Sequence, residues 1–190
     1  MKHALILCLL AAPALAQTDG EGAATIDATC PAAPDHAAEQ AEIIALLQDA
    51  PNEAVARPLM DRLWRNWTDA PDAAAQKLLD DGMAKREGYD FLGARDTFDA
   101  LVEYCPDYAE GYNQRAFASF LRQDYDAALF DLDRTLEITP DHIAALSGKA
   151  LTLMGLGRRD EAQDILRAAL ALNPWLNERA MLVTPPGTDL

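Results

Sequence analysis

Positive charge is scarce in this sequence. Lys and Arg together number 16 of 190 residues, against 31 Asp and Glu, and the formal net charge is −15. Nucleic acids are held largely by Lys and Arg on phosphates, and anionic membrane surfaces by polybasic segments. The deficit argues against both partners. Three cysteines cannot build a disulfide-dense scaffold. The three histidines, His3, His36 and His142, stand far apart. There is no Cys/His set with zinc spacing, no H-E-x-x-H, no phosphate-cradling Gly-rich loop and no G-x-S-x-G. Gly155 and Gly157 match half of a dinucleotide fingerprint by letters, but no strand precedes them, so they read as a turn. Val and Ile nowhere alternate with polar residues over a strand length. The expectation is an all-α, non-enzymatic protein with no catalytic, cofactor or metal residues.

One apolar run is present, and it is short. Met1-Lys2-His3 is a basic start, Ala4 to Ala12 is uncharged, and Ala14-Leu15-Ala16 puts small residues at a cleavage position. This is the pattern of a secretory signal peptide over 1–16, too short for a spanning helix. It predicts an exported, periplasmic protein without a membrane anchor. Residues 17–36 are rich in Ala, Thr, Gly and Pro and read as a flexible arm.

Loss of the leader removes Cys8 and leaves Cys30 and Cys105. In an oxidising compartment the two are able to pair across about 75 residues. The alternative is two unpaired thiols, one exposed in the arm and one packed.

From about Ala37 the spacing becomes helical. Ile43, Ile44, Leu46 and Leu47 give one apolar face, and Asp49-Ala50-Pro51-Asn52 breaks it. A second helix follows from Glu53 to about Trp67, with Leu59, Met60, Leu63, Trp64 and Trp67 on its stripe. Pro58 inside it predicts a kink or a delayed start. Residues 37–70 thus form a helical hairpin.

The strongest signal is a repeat. Pro106, Pro140 and Pro174 are 34 apart, each preceded by a similar amphipathic segment. Twelve residues before each stands Ala94, Ala128 or Ala162, and twelve before that a small residue, Gly82, Ala116 or Ala150. Leu78, Tyr112 and Leu146 lie four earlier still. Small residues let two antiparallel helices approach, bulky ones fill the space to the next unit, and the proline ends the second helix. His142, after Pro140-Asp141, reads as an ordinary turn residue. Asp131 and Asp133, two apart on a helix, point to different sides and form no acid–base pair.

These residues and this period resemble the tetratricopeptide repeat family, and the chain is similar to small exported bacterial proteins of that kind. Three units fit, 75–108, 109–142 and 143–176, with 37–70 as a divergent hairpin and 177–190 as the end of a closing helix and a mobile tail. One departure is plain: the family's Leu before the small residue is Asp81, Arg115 and Lys149 here.

The resemblance implies an α-solenoid whose first helices line a concave groove for a peptide or a partner's helix. Carried across, the groove positions include Met83, Arg86, Glu110, Asn113, Phe117, Phe120, Leu121, Leu151 and Met154. Gln76, Leu79, Ala144 and Ser147 also fall on the groove. The basic residues with which some members clamp a terminal carboxylate are not matched. Two functions stay open: an exported adaptor or scaffold that binds a protein partner in the groove, and an assembly subunit that fills its own groove and associates through the hairpin's Trp64/Trp67 face.

Overall fold

The computed structural model describes residues 29–183. The predicted leader, the arm up to residue 28 and the tail from 184 lie outside the described residues. Eight α-helices follow one another: Ala37–Gln48 (α1), Glu53–Trp67 (α2), Ala73–Glu87 (α3), Phe91–Tyr104 (α4), Ala109–Leu121 (α5), Tyr125–Ile138 (α6), Ile143–Gly155 (α7) and Arg159–Leu172 (α8). The predicted closing helix is a short 3-10 turn, Asn177–Met181. No strand occurs among the described residues. The protein is an all-α solenoid.

Pairs α3/α4, α5/α6 and α7/α8 stack in order, with α4 on α5 and α6 on α7. The small residues act as the spacing predicts. A Cβ on Gly82 would lie 2.4 Å from Phe98 Cε1, so α3 and α4 touch only because that atom is missing. Ala116 and Ala150 are buried at the equivalent places. Each first helix ends the same way. Tyr89, Gln123 and Gly157 have φ of 64°, 61° and 76°. The next residue's N–H reaches back to Lys85, Ser119 or Leu153 O at 2.9, 3.0 and 2.9 Å. That is a left-handed helix stop repeated every 34 residues. The second helices end at Tyr104, Ile138 and Leu172, two residues before Pro106, Pro140 and Pro174. Cys105, Thr139 and Asn173 leave helical geometry there, with ψ of 74°, 87° and 98°, because a proline disfavours α geometry in the residue before it.

Two of the three charged residues at the departure positions staple neighbouring units, while Asp81 pairs with Lys77 inside α3. Arg115 on α5 bonds Asp99 on α4 at 2.8 Å, and Lys149 on α7 bonds Asp133 on α6 at 2.6 Å. Arg115 also holds Asp131 at 2.6 Å. Burial raises the Asp131 carboxyl above its ordinary range, while its hydrogen bonds raise Arg115. Asp131 and Asp133 thus serve different cations.

The N-terminal hairpin shows neither the kink nor the delayed start expected of Pro58. Helix α2 starts at Asn52, whose side chain accepts from Val55 N at 3.1 Å, and runs unbroken through Pro58. Pro58 lies on an exposed face, and the carbonyl it leaves free belongs to exposed Ala54, where water serves it. The hairpin also does not extend the stack in sequence order. Its residues Ile43, Ile44, Leu47, Leu63 and Trp67 share one core with Ile143, Leu172, Trp175 and Leu176 at the far end. Gln48 Nε2 donates to Ala171 O at 3.0 Å, and Trp175 Nε1 to Ala50 O at 2.8 Å. The hairpin therefore crosses the concave side and closes on the last unit.

Cys30 and Cys105 are joined by a disulfide, which ties the residues before α1 to the end of α4.

Candidate functional site

First helices α3, α5 and α7 face the hairpin across a cleft of about 470 Å³. The repeat wall presents Arg86, Asn113, Phe117, Phe120, Ser147 and Leu151. The opposite wall presents Ala56, Met60 and Trp64 of α2, with Trp175 and Leu176 from the C-terminal segment. The cleft is mostly apolar and aromatic, and it stays open although the hairpin covers part of the concave face. Trp64 is 39 %, Phe117 45 % and Leu121 37 % exposed, large apolar side chains gathered around one cleft.

Five of the nine predicted groove residues line this cleft: Arg86, Asn113, Phe117, Phe120 and Leu151. Leu121 lies one turn past Phe117, outside the lining. Met83 packs against the core cluster that holds Leu79 and Phe98. Met154, in the last turn of α7, belongs to a separate surface hollow with Gln163, Met181 and Val183, where the chain returns over α8. Glu110 is not a groove residue. It is 1 % exposed and sits at the centre of a buried polar cluster. Of the other positions carried across, Leu79 is fully buried, and Gln76 Oε1 accepts from Ala70 N at 3.1 Å.

That cluster corrects the reading of His142 as a turn residue. His142 is 1 % exposed. Its Nδ1 accepts from Ala145 N at 3.2 Å, as the cap of α7, so that nitrogen carries no proton. The proton is on Nε2, which donates to Glu110 Oε2 at 2.9 Å. Glu110 also accepts from Asn113 Nδ2 at 3.1 Å and from Gln114 Nε2, and Gln114 Oε1 accepts from Arg86. The imidazole stacks on Trp67, centroids 4.1 Å apart at 18°. Tyr108, 34 residues before His142 and likewise at a helix start, donates its hydroxyl to Trp67 O at 2.7 Å. Burial raises the Tyr108 hydroxyl far above its ordinary value, so it remains a donor. Trp67, 6 % exposed, is thus a key turned into two successive units. Of the Trp64/Trp67 pair, only Trp64 is therefore exposed.

Arg86 is the charged residue of the repeat wall, and Glu53, Arg57 and Glu178 line the facing side. The Arg86 guanidinium lies 4.8 Å over the Phe117 ring. Burial holds it below the usual arginine value, outweighing Glu87 and Glu110 nearby. Among the described residues no carboxylate oxygen lies within 4.0 Å of it. Nor do the described residues contain a group of three or more His, Cys, Asp or Glu placed to hold a metal ion. No helix among them is long and apolar enough to cross a membrane.

The repeat stop, the small-to-aromatic approach and the 34-residue prolines agree with outside comparison. A family model described as tetratricopeptide repeat matches residues 119–181. Over these residues the chain carries tetratricopeptide repeat sequence. A TPR repeat-containing protein of Rhizobium etli is 33% identical over 91 residues, 48% of this chain and 45% of that protein. Tetratricopeptide repeat protein 36 of Xenopus tropicalis is 34% identical over 118 residues, 58% of this chain and 57% of the relative. The chain thus spans about half the length of these relatives. Among solved structures, the Arabidopsis OM64 TPR domain superposes with a TM-score of 0.55 at 21% identity, over 57% of this chain and 89% of that one. The first TPR of Spaghetti (RPAP3), bound to an HSP90 peptide, gives 0.55 at 20% identity, over 56% and 85%. At such identity the likeness is one of fold.

The sequence reading missed what joins the hairpin to the repeats. A signal was present. Tyr108 and His142, which both meet Trp67 of the hairpin, are aromatic residues 34 apart.

Proposed function

We propose that this tetratricopeptide-repeat protein is a non-enzymatic interaction module, an exported adaptor or scaffold that binds a protein partner at the cleft. The observation that carries the reading is the open apolar cleft, with Phe117, Leu121 and Trp64 exposed around it. Large apolar side chains gathered on a concave surface mark interaction sites. Similar folds in complex with peptides, such as the RPAP3 domain with its HSP90 peptide, support it. The buried titratable groups support the non-enzymatic part. Both nitrogens of His142 are engaged, Glu110 is surrounded by donors, and Asp131 is held by Arg115. Export is supported by the leader-like residues 1–16 and by the Cys30–Cys105 bond, a kind of bond that persists in oxidising compartments.

The test is site-specific photocrosslinking in the source cells. A crosslinking residue is placed at Leu121, and a control at Phe130, which is 69 % exposed on α6. A partner joined from 121, absent from 130 and lost in a folded Phe117→Ser/Trp64→Ser variant is the expected result. Equal capture from both positions refutes the cleft as the site.

A further inference from the structure

We propose that the cleft recognises a partner segment in which a large apolar side chain is flanked by an internal Asp or Glu. The apolar side chain enters between Trp64, Phe117 and Leu151, and the carboxylate meets Arg86. This rests on the interaction reading above and names the chemistry of the partner.

Size comes first. The cleft of about 470 Å³ is closed on one side by the hairpin and by Trp175. That is the scale of a compact ligand, suited to a few bulky side chains rather than to an extended chain running the length of three units. Its walls are apolar on both sides, so an inserted side chain loses water all round.

Arg86 supplies the polar half. A guanidinium has five N–H donors, and the one partner found for Arg86 is the neutral Oε1 of Gln114. Arg115, the other half-buried arginine of the first helices, holds two carboxylates, Asp99 and Asp131. In a chain with 31 acidic residues, a half-buried guanidinium that faces a cleft and touches no carboxylate is out of pattern. Two acids line the facing side: Glu53, held by Arg57 at 3.5 Å and Arg179 at 3.3 Å, and Glu178 in the 3-10 turn, neither within 4.0 Å of the Arg86 guanidinium. A partner carboxylate over Arg86 completes a charge-assisted pair that the chain itself leaves open.

The test uses the full chain and a display library of random twelve-residue peptides held at both ends, so that none has a free carboxyl terminus. Binding of synthetic winners is read from Trp64 and Trp175, which line the cleft, while Trp67 is buried away from it. Winners are expected to carry Leu, Ile, Met or Phe beside Asp or Glu. Changing that Glu to Gln is expected to cost about tenfold to a hundredfold in affinity. In Arg86→Gln the same change costs nothing, and Arg86→Lys, which keeps a cation, restores part of the preference. Circular dichroism confirms that both variants are folded.

Winners without an acid, or an acid preference that persists in Arg86→Gln, overturn the proposal. If such winners are still lost in Phe117→Ser/Leu121→Ser, the interaction reading stands and only the chemistry assigned here falls. If dodecanoate moves the tryptophan signal and no peptide does, the occupant is a small amphiphile and both readings fall.

Discussion

The α1/α2 hairpin and the α3/α4 hairpin are built from the same kind of helix but are held by different means. In α3/α4 the hold is local. Gly82 admits the Phe98 ring, Asp90 Oδ1 accepts from Gly93 N at 2.9 Å, and the turn at Tyr89 closes through Lys85 O. In α1/α2 the strongest ties reach far along the chain. Gln48 bonds Ala171, Trp175 bonds Ala50, and Trp67 stacks on His142. A unit of the first kind carries its own cohesion and passes it to its neighbours. A unit of the second kind is stable only while the rest of the solenoid presents its far end. Since the hairpin forms one wall of the cleft, the binding surface depends on the less self-sufficient region.

Two truncations separate these cases. Phe98→Ala removes a fully buried ring from the local contact and is expected to destabilise the protein by about 3–5 kcal/mol, with chemical unfolding of all units shifted together. Trp67→Ala removes a side chain of similar weight, but the loss is expected to fall on the hairpin. Hydrogen-exchange protection should drop in α1 and α2 while α4–α8 remain protected, and the Trp64 emission should move toward that of an exposed indole. Loss of protection throughout the chain in Trp67→Ala would erase the distinction.

The disulfide is the covalent link between the two regions, because Cys30 precedes α1 and Cys105 ends α4. Its loop spans 75 residues. On a chain-entropy account, Cys30→Ser is expected to lower stability by about 2–4 kcal/mol. The midpoint in urea should fall, and reductant should reproduce the fall in the unaltered protein and have no effect on the variant. Equal midpoints with and without reductant would show that the link adds nothing.

His142 is the non-covalent counterpart. His142→Phe keeps a ring against Trp67 but removes the cap of Ala145 N and one donor to buried Glu110. The expected cost is about 1–3 kcal/mol. Adding Glu110→Gln to that variant should recover part of it, because an amide buried short of a donor is less costly than a carboxylate. Additive losses in the cycle would mean that the two side chains do not act as a pair.

The solenoid was legible because its cause is periodic. Small residues, bulky residues and prolines recur at one spacing, and each has a local steric consequence that needs no knowledge of distant parts. The family resemblance that rests on this period implied the groove positions Arg86, Asn113, Phe117, Phe120 and Leu151, which lie on one wall. It failed where a position has the right register but the wrong depth. Glu110 lies in the first turn of α5, under the incoming Trp67 and His142, and is buried by a segment that no repeat rule describes. The opposite wall was illegible for the same reason. Nothing in the spacing of Met60 and Trp64 says that α2 crosses to Trp175, more than a hundred residues later in the chain. Such placement follows from which apolar faces remain uncovered after the units have stacked.

The smallest expected effect tests the equivalence of the three units themselves. Tyr89, Gln123 and Gly157 occupy the same left-handed position, with φ of 64°, 61° and 76°. Only glycine adopts it without a clash between Cβ and backbone. Tyr89 is 82 % exposed, and its one aromatic contact is an edge approach to Phe91 at 6.0 Å, so little packing offsets the strain. Tyr89→Gly is therefore expected to stabilise the protein by about 0.5–1 kcal/mol, and Gln123→Gly by a similar amount. Gly157→Tyr should destabilise by a comparable amount, since a side chain there has open space but the wrong backbone. Thermal midpoints of the three variants check this. If Tyr89→Gly instead lowers the midpoint, the exposed ring is held by more than the Phe91 contact, and the three turns are not energetically equivalent.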